Sequence, residues 1–170
     1  MAATTRDLVF RVGSVQDVVL TAQTLLTYRH QLVASPAYLE EHPAPLTPRD
    51  LRGHRLLAFA RWQVDPLWSF AHQQAAGQET LNVEPHLSMN DYSGLTAALL
   101  TGVGIGELPP TVQPDLLRQG QLVEVMPMWR FEPFDLSILH LKTRYLTRPV
   151  RTFKDFAAQM SPDLFPDLPR

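Results

Sequence analysis

The sequence predicts an α/β fold with mostly parallel sheets, and three observations carry that prediction. Short apolar, β-branched runs alternate with capped helical segments in the middle of the chain. Their order there is strand, helix, strand, helix, strand with short connections, the arrangement that favours parallel pairing. Fifteen prolines and eight glycines punctuate the 170 residues rather than fill them, so they mark element boundaries and not a disordered composition. Hydrophobic residues make up 45% of the chain, enough for one domain core or two small lobes sharing a connection.

The elements follow in order. Asp7-Leu-Val-Phe-Arg-Val-Gly13 is β-branched and aromatic, closed by glycine, and predicts a strand. Residues 17–26 form a loosely apolar stretch, and residues 31–34 a second short strand. Ser35 as N-cap and Pro36 at the first helical position open a helix over 37–41, which Pro43 stops. Thr47 and Asp50 stand at the two positions of a capping box, and Gly53 ends that short helix before a strand over 55–59. Residues 81–89 read as a strand, followed by the cap-forming cluster Asn90-Asp91-Tyr92-Ser93. An apolar helix over 95–100 ends at Gly102, and a tight strand follows over 103–109. Residues 111–118 predict a short helix interrupted at Pro114 and stopped by Gly120; residues 122–125 predict a strand. A longer strand covers 136–141. The last helix, 150–160, places Val150, Phe153, Phe156, Ala157 and Met160 on one face. Pro162, Pro166 and Pro169 predict a frayed tail over 161–170.

Charge and motif content exclude several function classes. Fifteen Lys plus Arg against 17 Asp plus Glu give a net charge of −2, without the clustered basic excess that phosphate neutralisation requires. The chain by itself is a poor nucleic-acid binder. The absence of cysteine removes disulfides, thiolate metal sites and a cysteine nucleophile together. No apolar run approaches the roughly 20 residues of a membrane helix, and residues 1–5 lack the regions of a signal peptide. The expected setting is cytoplasmic, with no membrane partner. Histidines at 30, 42, 54, 72, 86 and 140 have no i, i+2 or i, i+4 pairing, so no metal is expected. Gly102-Val-Gly-Ile-Gly106 follows a helix and opens a strand, the reverse of a dinucleotide loop, so its glycines are assigned to the helix end and close strand packing. No G-x-S-x-G elbow and no Walker lysine occur. Neither an enzyme nor a cofactor is predicted. Tyr92, Trp62, Trp68 and Trp129 read first as core or interface aromatics.

Two places remain as ligand candidates. The Asn90 to Ser93 cluster lies where a strand ends and a helix begins, where free N–H groups and the helix dipole favour an anion. Ser35 has the same character. Two such helix starts facing one cleft would hold a small carboxylate-bearing ligand. The simpler reading is that Ser35 and Asp91 only cap their helices, and the charge of Asp91 opposes an anion unless it points away.

Four ordered stretches resemble the effector-binding region of LysR-type transcriptional regulators. They are residues 7–13; Leu32-Val-Ala-Ser-Pro-Ala-Tyr-Leu39 with Pro45-x-x-Pro48-x-Asp50-Leu51-x-x-His54-x-Leu56-Leu57; Met89-Asn-Asp91 with Leu95-x-x-Ala98-Leu-Leu-x-Gly102-Val-Gly-Ile-Gly-x-Leu-Pro109; and Gly120-x-Leu122-Val with Val150-Arg-Thr-Phe153-x-Asp155-Phe156. The resemblance implies a fold similar to type II periplasmic binding proteins, with two lobes and a small effector between them. It implies that residues 1–34 and 136–160 are what remains of a first lobe, and that residues 35–135 form the second. The implied effector positions are Gly13, Ser14, Ser35, Asn90, Asp91, Tyr92, Ser93, Glu107 and Leu108. It also implies that the helix-turn-helix and the opening of the first lobe lie outside this chain, that DNA is reached only through that missing domain, and that the chain self-associates. Two alternatives stand beside it: a periplasmic-type solute-binding protein, and a truncated fragment that only dimerises.

Overall fold

The computed structural model describes residues 8–14, 19–60, 67–142 and 146–169. Asp7 and Trp62, named above, lie outside them, as do residues 17 and 18 of the loosely apolar stretch. In chain order the elements are β1 (Val9–Val12), β2 (Leu20–Tyr28), β3 (Gln31–Ala34), α1 (Pro36–Glu41), a 3-10 helix (Pro48–Gly53), β4 (Leu56–Phe59), β5 (Leu67–His72), β6 (Gln78–Asn82), β7 (Leu87–Met89), α2 (Tyr92–Leu100), β8 (Ile105–Leu108), α3 (Asp115–Arg118), β9 (Val123–Glu124), β10 (Trp129–Phe131), β11 (Phe134–Leu141) and α4 (Arg148–Leu164). They divide into two compact units, residues 1–28 with 133–170, and residues 29–132.

The first unit is a three-stranded antiparallel sheet in the order β1-β11-β2. β11 is central, with a register break between Leu136 and Ser137. Leu25, Leu26, Tyr28 and Ile138 form its buried core, and Ala157 and Ala158 of α4 pack against them. The expected apolar face of α4 is only partly used, because Phe153 and Phe156 are 48% and 57% exposed. The expected frayed tail is corrected. α4 runs through Pro162 to Leu164, and Phe165 and Leu168 pack on the same core. Apolar contact outweighs the one amide donor that proline lacks.

The second unit holds a five-stranded sheet, β7-β4-β8-β3-β9, and a three-stranded sheet, β10-β5-β6. Both faces of the larger sheet are covered, as the alternation of its strands shows. Leu32, Ala34, Leu56 and Ala58 enter one core with Tyr38, Leu51, Trp68, Phe70 and Phe131. Val33 and Leu57 enter the other with Leu95, Leu99 and Leu108. Period-two alternation with both sets buried is what a doubly covered sheet requires.

Parallel pairing is confined to β4 with β7 and β4 with β8; every other described ladder is antiparallel. The mostly parallel expectation is therefore corrected to a mixed architecture. The crossover through α2 does supply parallel strands, but β3 enters its sheet antiparallel to β8 and β9. β5 and β6 form a hairpin that the sequence reading omitted. The predicted strand over 81–89 is two strands, β6 and β7, which belong to different sheets with Pro85 between them. Proline supplies no ladder donor and favours such a break.

The glycines of the 102–106 segment do what packing predicts. Gly102 closes α2 at φ +76°. A Cβ on Gly104 would collide with the Arg55 carbonyl, and one on Gly106 would lie 2.8 Å from the Leu57 carbonyl oxygen. β8 can approach β4 only with glycine at both positions.

Candidate functional site

The sequence-predicted residues separate into three places. Gly13 and Ser14 belong to the first unit. Gly13 takes φ +92° after β1 and donates its N–H to the Asp135 carbonyl at 2.9 Å; Ser14 is exposed beside it. The remaining seven belong to the second unit, where the sheet direction sorts them.

β4, β7 and β8 run parallel, so their C-terminal ends lie together. α2 starts there, bringing Asn90, Asp91, Tyr92 and Ser93 to the end that also holds Phe59 and Leu108. β3 runs the other way, with Gln31 opposite Leu108 and Ala34 opposite Ile105. Ser35 consequently lies at the opposite end of the sheet. A Cβ on Gly102, at the far end of α2, would sit 3.6 Å from the Ser35 Oγ. The two helix starts therefore do not face one cleft, because β3 runs antiparallel to β8. The side chain of Ser35 is buried and accepts the Tyr38 N–H at 3.3 Å.

Asp91 is also a cap. Its carboxylate accepts the N–H of Ser93 at 3.2 Å and of Gly94 at 3.0 Å. Those are the free amides an anionic ligand would need, so α2 is self-capped and its start is no open anion site. Leu108 is 3% exposed and contributes its side chain to the core.

What the end of the sheet does present is an aromatic and polar group centred on Tyr92. Its ring stacks on Phe59, with centroids 4.3 Å apart and planes 22° apart. The His30 ring meets it edge to face at 6.1 Å. The His30 Nδ1 lies 3.2 Å from Glu107 Oε2, and both residues are buried. Arg29, also buried, holds Glu124 through contacts of 2.6 and 3.2 Å, and Gln31 donates to the same carboxylate at 2.9 Å. Thus Tyr92 and Glu107 are brought together, joined by Phe59 and His30, which sequence reasoning missed. The signal for His30 was its place immediately before a buried strand, a position where a polar ring needs a partner.

Among the described residues, no group of three or more His, Asp or Glu side chains could hold a metal ion. No helix among them is long and apolar enough to cross a membrane. The group around Tyr92 can stack on a planar or apolar moiety and offer polar contacts beside it. It contains no paired nucleophile and base.

Comparison with known proteins agrees with this frame. The family model described as the LysR substrate binding domain matches residues 2–161. The chain is 28% identical over 161 residues to a probable HTH-type transcriptional regulator, LtrA, of Klebsiella pneumoniae, covering 93% of this chain and 52% of that protein. It is 31% identical over 153 residues to the HTH-type transcriptional regulator YhjC of Escherichia coli, covering 89% and 51%. The chain therefore spans about half the length of the curated relatives it matches. The full-length structure of AphB, a virulence activator of Vibrio cholerae, superposes with a TM-score of 0.80 at 28% identity, covering 90% of this chain and 51% of that one. The regulatory domain of CrgA from Neisseria meningitidis gives 0.76 at 25%, covering 90% and 74%. The fold is that of LysR regulatory domains, of the type II periplasmic-binding-protein class, and these relatives are regulators rather than enzymes. A match across nearly the whole chain, in sequence and in fold, places it in the LysR substrate-binding domain family, the effector-binding part of LysR-type transcriptional regulators.

Proposed function

We propose that this chain senses a small metabolite in the cytoplasm and passes the signal to a DNA-binding helix-turn-helix domain outside these 170 residues. The observation that carries the reading is the group at the C-terminal ends of β4, β7 and β8: the Tyr92–Phe59 stack beside the buried His30 and Glu107. Ligands of open α/β sheets bind outside such strand ends. Asn90 and Ser93 flank this group as proposed contacts, while Asp91 acts as the helix cap that fixes Tyr92. Gly13 and Ser14, which belong to the first unit, stand separately as proposed effector contacts. If the effector is a carboxylate, the α2 amides do not receive it, because Asp91 already occupies them. Signalling requires only that the effector prefer one of two states, and couplings of about 1–3 kcal/mol are typical.

A thermal-shift screen of small carboxylates, aromatic acids and amino acids tests this. A ligand at a hundredfold excess over its dissociation constant adds about 2.7 kcal/mol of stability. The expected result is a hit that Tyr92→Leu abolishes and Ser35→Ala retains. A hit that Ser35→Ala abolishes and Tyr92→Leu retains overturns the placement. A second reading, a fragment whose role is association, is favoured by the exposed apolar residues of β1. It predicts a flat screen.

A further inference from the structure

β8 is buried at all four of its residues, and Glu107 is the charged one. On its face of the sheet stand Ile105 two residues earlier and Leu32 directly opposite, both in the apolar core. A carboxylate in such a place costs free energy unless hydrogen bonds satisfy it, and an ionised one accepts about four. Among the described residues Glu107 has one such partner, the His30 Nδ1, 3.2 Å from Oε2. No described residue donates to Oε1. Among the described residues the sealed-off side-chain atoms that lack a partner are Arg29 Nε and Trp68 Nε1, so Oε1 keeps access from outside.

We propose that Glu107 selects the effector by charge: Oε1 receives the N–H of a protonated amine whose apolar part lies against Tyr92 and Phe59. The proposal rests on the effector reading of the group around Tyr92 and names the class of molecule that group takes.

His30 joins the two halves of the recognition. Its ring meets Tyr92 edge to face at 6.1 Å, while its Nδ1 lies against Glu107. With Glu107 ionised, Nδ1 donates to it, and the imidazole holds the carboxylate beside the aromatic stack. Acceptor and rings thus lie on either side of one buried side chain. That spacing suits a head group carried a few bonds away from an apolar or aromatic body. Aromatic faces also attract ammonium groups, so Tyr92 and Phe59 favour the same charge as Glu107 does.

A carboxylate head group meets the opposite conditions. Both terminal nitrogens of Arg29 are committed to Glu124, Nη1 also to the His30 carbonyl, and Nε is buried. Gln31 donates to the same Glu124 carboxylate. The first amides of α2 hold Asp91. Among the described residues, then, the guanidinium and the helix start are occupied, while a carboxylate oxygen stands open. An anion placed there would face Glu107 at close range, where like charges repel.

Three compounds that share a phenylethyl group and differ in head-group charge test this: phenethylamine, hydrocinnamamide and hydrocinnamate. Each is titrated calorimetrically into the purified 170-residue chain at neutral pH. The expected order of affinity is amine, then amide, then carboxylate, with the amine at least about tenfold tighter than the carboxylate. Glu107→Gln keeps the size of the side chain and removes its charge. It is expected to weaken the amine by about tenfold or more while sparing the neutral amide. Tyr92→Leu is expected to weaken all three alike, because the ring is common to them. The ranking on the parent chain needs no substitution, so it decides the matter even where a variant folds poorly.

A carboxylate bound as tightly as the amine overturns the proposal and leaves the effector reading standing. An amine bound equally by the parent and by folded Glu107→Gln also overturns it, since Oε1 then serves only water. Binding of none of the three by the folded chain overturns it as well; the effector reading falls with it only if the wider screen is flat.

Discussion

Tyr38 ties together three residues the sequence left as separate signals. Its hydroxyl accepts the Arg55 N–H at 3.2 Å and lies 3.1 Å from His54 Nδ1, while the His42 ring stacks on it at 4.2 Å. The hydroxyl can donate its proton to His54 Nδ1 when that nitrogen is unprotonated. Burial and the neighbouring His42 hold His54 below its ordinary value of 6.5, with Asp50 opposing. A base depressed in the folded state is protonated more readily when unfolded. Its stabilising contribution is therefore present above pH 6.5 and lost as pH falls below that value. The melting temperature should drop as the solution is acidified through the histidine range, and His54→Asn should flatten that slope; an unchanged slope contradicts the assignment. Asp50 is lowered by accepting the N–H groups of Thr47 and Leu46, so its contribution is lost only under more acidic conditions, below about the ordinary carboxylate value of 3.8. Gly104 makes the steric prediction at this scale. Gly104→Ala should lower the urea midpoint by an amount equivalent to about 2–3 kcal/mol, because the added methyl meets backbone that cannot move aside alone.

Among the elements, those that announce themselves locally were read well. Ser35-Pro36, Thr47 with Asp50, and Asp91 before α2 each name a helix start through a side chain that satisfies nearby backbone amides, and each is found in place. The pairing of strands was not readable in the same way. Parallel or antiparallel direction is decided by distant partners, and the sign of β3 alone moved Ser35 from one end of the sheet to the other. The β5–β6 hairpin was missed because its apolar residues, Trp68, Phe70 and Leu81, are few and divided between two strands around a turn at Gly77. Helix α4 shows how amphipathic pattern and burial part company: small residues, Ala157 and Ala158, make the contact while the phenylalanines lie open. A pair of variants measures that difference. Ile138→Ala, at the fully buried centre of β11, should cost about 2–5 kcal/mol by denaturant unfolding. Phe156→Ala should stay within roughly 0.5 kcal/mol of the parent, the range of surface substitutions. Equal losses would mean that α4 is anchored through its aromatic face.

At the scale of the whole molecule, the family was legible because four modest motifs occur in the right order, and the match to residues 2–161 bears that out. The candidate site was legible only in part. Tyr92 was named in the cluster at the start of α2 and Glu107 from resemblance, whereas His30 and Phe59 come to them through strand order. The central claim is that this chain recognises a small effector through the group around Tyr92. Calorimetric titration of the purified chain with the strongest ligand from the screen tests it most directly. The account predicts saturable one-site binding that Tyr92→Leu weakens by about tenfold or more, equivalent to at least ~1.4 kcal/mol, with Glu107→Gln altering it as well. Affinity unchanged in both variants, or no saturable binding by the folded chain to any compound screened, would contradict it.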